Sequence, residues 1–119
     1  MRAFNVKEYF QNLGNNWRLN TITGSIFYGN EEVIINRGSV RGVLTELLRE
    51  KKRFKIFSYL KRNFVPIEDL QEKEHNVGAW IKAMQLVIDK ILNKYGFSIQ
   101  VENGTSNKKT EWSLCRVNQ

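Results

Sequence analysis

The chain is poor in the residues that most often carry covalent chemistry or interrupt structure. Among 119 residues there is one cysteine, Cys115, one histidine, His75, and one proline, Pro66. A lone cysteine closes no internal disulfide, which points to a reducing compartment. His75 has Glu72 and Glu74 beside it but no cysteine nearby, too few ligands for a zinc site. A nucleophile–base–orienter arrangement built on Cys115 and His75 would need distant parts of the chain to converge, and no motif suggests it. No glycine-rich loop has the form that cradles a phosphate. The acidic pairs Glu31-Glu32 and Glu68-Asp69 sit at turn or helix-start positions, and in a first helical turn the helix dipole alone accounts for carboxylates. The chain is therefore expected not to be an enzyme, with no catalytic residue, metal or cofactor.

Long apolar runs are also missing. Nothing approaches the ~18 residues of a membrane span. The opening MRAFNVKEYFQNLGNN is polar and amphipathic and lacks the hydrophobic centre of a signal peptide. No membrane contact is expected, and a cytoplasmic or nucleoid location is. Low-complexity stretches and internal repeats are absent too. With 41% hydrophobic and 26% charged residues, the composition suits one compact domain over 1–119, residues 1–16 forming an N-terminal helical extension.

What the chain has is positive charge, and it is unevenly placed. The formal net charge is +7 and the isoelectric point about 9.7. Residues 1–36 balance at three basic and three acidic side chains, whereas residues 37–62 hold nine basic and two acidic, a net +7. Within that segment REKKRFKIFSYLKR, residues 49–62, carries seven cations against one glutamate. Such a concentration exceeds what solubility requires and points to an anionic partner, most commonly nucleic acid, the alternative being a solvated helix junction partly offset by Glu46 and Glu50. Phe54 and Tyr59 interleave the charges, in positions to pack or to stack on bases of a single strand.

Periodicity sketches the elements. Val6, Tyr9, Phe10 and Leu13 predict a short helix over 5–13, capped by Asn5 and ended by Gly14-Asn15-Asn16. Short β segments at 17–22, 25–28 and 32–35, parted by Gly24 and Gly29-Asn30, predict an antiparallel meander. Ser39 reads as the cap of a helix whose stripe is Val40, Val43, Leu44, Leu47 and Leu48. The stripe resumes as Ile56, Phe57, Leu60 and Phe64, rotated by well over ~90°, which predicts two helices breaking near 50–53 or one sharply bent helix. Pro66 stops the second and opens a short helix over 67–74, with His75-Asn76 as a connection. NVGAWIKAMQLVIDKILNKYG then predicts a long helix over 77–95, with Asn76 as cap, Gly96 as C-cap, and Val77, Trp80, Ile81, Met84, Val87, Ile88, Ile91, Leu92 and Tyr95 on one face. FSIQV and TEWSL predict a hairpin in which Ile99 and Val101 meet Trp112 and Leu114, with a basic tip.

From Lys55 onward the order is helix, turn, short helix, turn, long helix, hairpin. With the meander upstream, the segment from Trp17 to Leu114 resembles the winged helix-turn-helix output domains of response regulators of the OmpR/PhoB type. It departs from them in the extra helix over 40–50 and in Lys108-Lys109-Thr110-Glu111-Trp112, where the family has a glycine-rich aromatic ending. No phosphoacceptor receiver domain lies within these residues. The fold class expected is thus α+β: a winged helix-turn-helix with a small N-terminal sheet, core helices and a C-terminal wing.

The resemblance implies a DNA-binding transcriptional regulator, active on double-stranded DNA and often a homodimer, whose recognition helix is 77–95. Opposite its apolar stripe stand Ala79, Lys82, Ala83, Leu86, Asp89, Lys90 and Asn93, with Asn76 at the start and Gln85 on the flank. The alanines would admit close approach, Lys82 would reach phosphate or guanine, and Gln85 would pair with adenine. Leu86 would touch a thymine methyl, or be buried against another element or subunit. Arg49, Lys51, Lys52, Arg53, Lys55 and Arg62 would hold phosphates, as would Lys108 and Lys109 at the wing tip. The long helix has three lysines, one aspartate and no arginine, and the preceding IEDLQEKE is acidic. The alternative is a protein-interaction adaptor whose basic surface docks an acidic partner.

Overall fold

The computed structural model describes residues 9–50, 53–63, 74–102 and 109–117, and only the backbone over 74–77. Among the described residues the fold is mixed α+β, with three helices, a four-stranded antiparallel sheet and a three-stranded sheet. The chain divides into two compact units, Met1–Arg49 and Glu50–Gln119.

The first unit begins with strands in sequence order: β1 (Phe10–Gly14), β2 (Trp17–Asn20), β3 (Ile26–Tyr28) and β4 (Glu31–Glu32). The meander expected from the sequence is present, but it starts earlier. Residues 10–13, expected as the end of a helix, are β1, paired with β2 from Phe10↔Asn20 to Gly14↔Trp17. The same correction applies to the N-terminal helical extension; residues 1–8 lie outside the described residues. Gly14, Asn15 and Asn16 all take positive φ, at 87°, 52° and 72°. They make a tight hairpin, and pairing across it outweighs a helical spacing of four apolar residues.

Trp17, Leu19 and Ile26 bury one side of this sheet. On the other side the Arg18 guanidinium lies 4.6 Å from the Phe10 ring centroid and donates to the Gly29 carbonyl at 3.0 and 2.8 Å. Strand β2 stops at Asn20 rather than Ile22 because Asn20 Oδ1 accepts from the amides of Ile22 and Thr23, turning the chain. Strand β4 is likewise shorter than expected and lies at Glu31–Glu32.

Helix α1 (Gly38–Glu50) buries Val40, Val43, Leu44, Leu47 and Leu48 as their spacing requires. Its first internal bond runs from the Arg41 amide to the Arg37 carbonyl, so Arg37 is the N-cap and Ser39 lies inside the first turn.

In the second unit the break between helices is where the rotated stripe demands it, but it is more than a kink. Arg53 has φ 59°, and Phe54–Lys55 forms a strand, β5, before α2 (Ile56–Asn63). Lys55, expected on the helix, is therefore on a sheet. Helix α2 buries Ile56, Phe57 and Leu60. The helix expected over 67–74 falls mostly outside the described residues.

The long helix α3 (Glu74–Asn93) takes in His75 and Asn76, where the sequence suggests a connection and a cap. No glycine or proline interrupts 74–77, and extending a helix costs less there than starting a separate turn. At its other end Tyr95 and Gly96 bond back to Leu92 and Asn93, with Gly96 at φ 86°, the left-handed value a helix-ending glycine supplies.

Strands β6 (Phe97–Glu102) and β7 (Glu111–Arg116) pair as expected, Ile99 opposite Leu114 and Val101 opposite Trp112. Strand β5 adds to the far side of β7, giving the order β5-β7-β6 with Phe54 opposite Trp112. Phe54 and Trp112 are buried, and their rings lie edge to face at 6.3 Å. Phe54 also meets Tyr59 at 5.5 Å and Phe57 is buried, so the three aromatics of the basic stretch are engaged in packing. No helix of the described residues is long and apolar enough to cross a membrane.

Candidate nucleic-acid interface

Helix α3 has two sharply different sides. Ile81, Met84, Ile88 and Leu92 are buried, and Trp80 and Ile91 are half-buried at the margin. Ala79, Lys82, Ala83, Leu86, Val87, Lys90 and Asn93 are exposed. At 100° per residue these seven span an arc of roughly 140°, with Leu86, Ala79 and Lys90 at its centre. Leu86 is 72% exposed and Val87 45% exposed. Sequence periodicity places Val87 in the core; its position at the edge of the stripe, next to Leu86, is the signal that it belongs to the outer arc.

Gln85 lies on the flank as expected, whereas Asp89, expected on the outer face, is engaged elsewhere. Gln85 is half-buried, on the shoulder between core and arc. Asp89 turns toward β6: its Oδ1 accepts from the Ile99 amide at 2.7 Å and from Ser98 Oγ at 3.0 Å. The amide of Ile99 lies on the edge of β6 away from β7, so Asp89 satisfies a strand edge that would otherwise need water. The exposed arc is left with lysines, Asn93 and apolar side chains.

Among the described residues of the second unit, cations of the basic stretch lie beside carboxylates. Lys55 is exposed on β5, directly opposite Glu111, which in turn faces Glu102 on β6. Partners in an antiparallel sheet share a face, so the row Lys55–Glu111–Glu102 runs across the side away from Phe54 and Trp112. Arg53, Glu102, Glu111, Trp112 and Ser113 line a half-open cleft of about 200 Å³. Two carboxylates thus partly offset two cations, a pairing across 56 residues that local charge counting does not register.

Arg62 and Lys61 are exposed at the last turn of α2. Lys109 is exposed just before the buried Thr110. Arg49, at the end of α1, pairs with Glu46 at 3.1 Å and donates to Gln11 Oε1 at 3.3 Å, so part of its donor capacity is used within its own unit. Lys51, Lys52 and Lys108 lie outside the described residues, and Asn76 is placed in the first turn of α3 by its backbone. Among the described residues no three His, Cys, Asp or Glu side chains gather as metal ligands. The Cys115 thiol, half-buried, approaches the Ser98 carbonyl at 3.5 Å.

No protein-family model matches the chain, nor does any curated protein or solved structure.

Proposed function

We propose that this chain is a non-enzymatic DNA-binding protein, a transcriptional regulator of winged helix-turn-helix type acting on duplex DNA in the cytoplasm or nucleoid. The outer arc of α3 enters the major groove, and Arg53, Lys55, Arg62 and Lys109 bind the backbone. The observation that carries this reading is the uncovered arc itself. Among the described residues it is a continuous exposed helical face that holds Lys82 and Lys90, and the Asp89 carboxylate at its margin is tied to β6. A major groove about 12 Å wide accepts one such helix. The order of sheet, helices and hairpin, with β5 joined to the hairpin, further supports a winged architecture.

Duplex binding measured by fluorescence anisotropy at several salt concentrations tests the proposal. Replacing Lys82 and Lys90 together by alanine is expected to lower affinity and to reduce the slope of log K against log salt by about two, one for each phosphate no longer neutralised. Arg37→Ala, on an exposed cation of the first unit, is expected to leave the slope unchanged. Equal slopes for all three proteins would refute duplex binding by this arc. The exposed Leu86 and Val87 also favour a second reading, an adaptor that seats an acidic amphipathic segment on the same arc.

A further inference from the structure

We infer that the outer arc of α3 reads the C5-methyl groups of pyrimidines in the major groove, with Leu86 as the contacting side chain. The inference rests on the duplex-binding reading and gives it a sequence preference.

The arc has the wrong chemistry for reading guanine by a forked donor. Helix α3 contains no arginine, and a lysine offers a point charge where guanine recognition favours a rigid pair of donors. What the arc offers instead is hydrocarbon, with Leu86 and Ala79 beside Lys90 at its centre and Val87 at its edge. Leu86 is 72% exposed, Val87 beside it 45%, and Ala83 lies one turn before. In the major groove the apolar feature that distinguishes one base pair from another is a methyl on pyrimidine C5, carried by thymine and equally by 5-methylcytosine.

Charge selects the groove as the occupant. Lys82 lies one turn before Leu86 and Lys90 one turn after, so Leu86 is bracketed by cations at about 6 Å intervals along the axis. The Asp89 carboxylate, which would repel phosphates, is held by the Ile99 amide and the Ser98 hydroxyl. From Ala83 to Val87 the helix advances about 6 Å. That is close to two base-pair steps of about 3.4 Å, so one or two methyl groups fall within reach.

Four duplex probes test this without knowledge of a target site: an alternating A–T copolymer, the same copolymer with uracil for thymine, an alternating G–C copolymer, and the same with 5-methylcytosine. Affinity is expected to be about fourfold higher for each methyl buried, the worth of one hydrocarbon group removed from water. Leu86→Ala should erase that difference. The side chain is mostly in water, so thermal unfolding of this variant should match the parent. A difference seen in the A–T pair of probes assigns thymine as the source, and one seen in the G–C pair assigns 5-methylcytosine. Equal binding of methylated and unmethylated probes overturns the inference while duplex binding stands. A methyl preference that survives Leu86→Ala overturns it as well, because duplex shape would then be its cause. Failure of all four probes to bind better than they bind the Lys82→Ala, Lys90→Ala protein overturns the duplex reading itself.

Discussion

Arg53 is the residue whose conformation is hardest to explain by folding alone. Its φ of 59° belongs to the left-handed region, where a side chain with a Cβ is held at a cost of about 1–2 kcal/mol and glycine at almost none. Arg53 directly precedes β5, and glycine would adopt the same φ. An exposed arginine kept at a strained position argues for work done by its guanidinium, here beside the cleft that it shares with Glu102 and Glu111. Arg53→Gly is therefore expected to separate stability from binding. Urea unfolding should show a gain of about 1 kcal/mol, while duplex affinity falls and its salt slope flattens by about one. A loss of stability instead would mean that the side chain's packing around the cleft outweighs its backbone strain. Asn15 and Asn16 also have positive φ, but asparagine tolerates that region and they form a hairpin turn, so no such argument attaches to them.

Among the elements, α3 and β6 depend on one another through Asp89. Its carboxylate satisfies the Ile99 amide on the strand edge and also draws the acid away from the helix's outer face. Asp89→Ala would leave that amide without its acceptor, and the expected loss is about 1–3 kcal/mol in equilibrium unfolding. Asp89→Asn keeps an acceptor in place and should recover much of it. The same elements show what can be read from a sequence. Helix α3 is legible from its 3.6-residue period and from Gly96, both local signals. The hairpin register is legible too, because Ile99 and Val101 alternate in step with Leu114 and Trp112. The outer arc follows from the stripe as its complement, apart from Val87 at the margin. Strand β5 is not legible: two residues carry no period, and what makes them a strand is Phe54 pairing with Trp112, 58 positions away. Residues 10–13 mislead for the opposite reason. Their spacing satisfies a helix, and only the hairpin with β2 decides between the two. Placing Lys55 on α2 follows from missing β5, and the two glutamates in its row are missed with it.

For the whole molecule, the distribution of charge decides how an anion would meet it. Of the formal net +7, the unit Glu50–Gln119 carries +5, with thirteen basic and eight acidic side chains. Two of those acids, Glu102 and Glu111, sit directly opposite each other across β6 and β7 with Lys55 next in the row. Like charges so placed repel, by a few tenths of a kcal/mol up to about 1, and the neighbouring cations relieve part of this. On the proposed duplex-binding reading their larger effect would fall on binding, because phosphates drawn to Arg53 and Lys55 would approach two carboxylates. Replacing both glutamates by glutamine should raise duplex affinity severalfold at about 50 mM salt, mainly through faster association. The advantage should shrink at about 0.5 M, where screening is effective beyond a few ångströms. Folding stability should change by less than about 0.5 kcal/mol, as expected for largely exposed charges. Stopped-flow association at the two salt concentrations, read beside urea unfolding, distinguishes the possibilities. An affinity unchanged at low salt would show that the β5 face is turned away from the nucleic acid, leaving α3 and α2 to hold it. A rise that persists at high salt would point to a direct clash of the carboxylates with bound phosphate, which locates the duplex on the β5-β7-β6 sheet more closely than long-range attraction can.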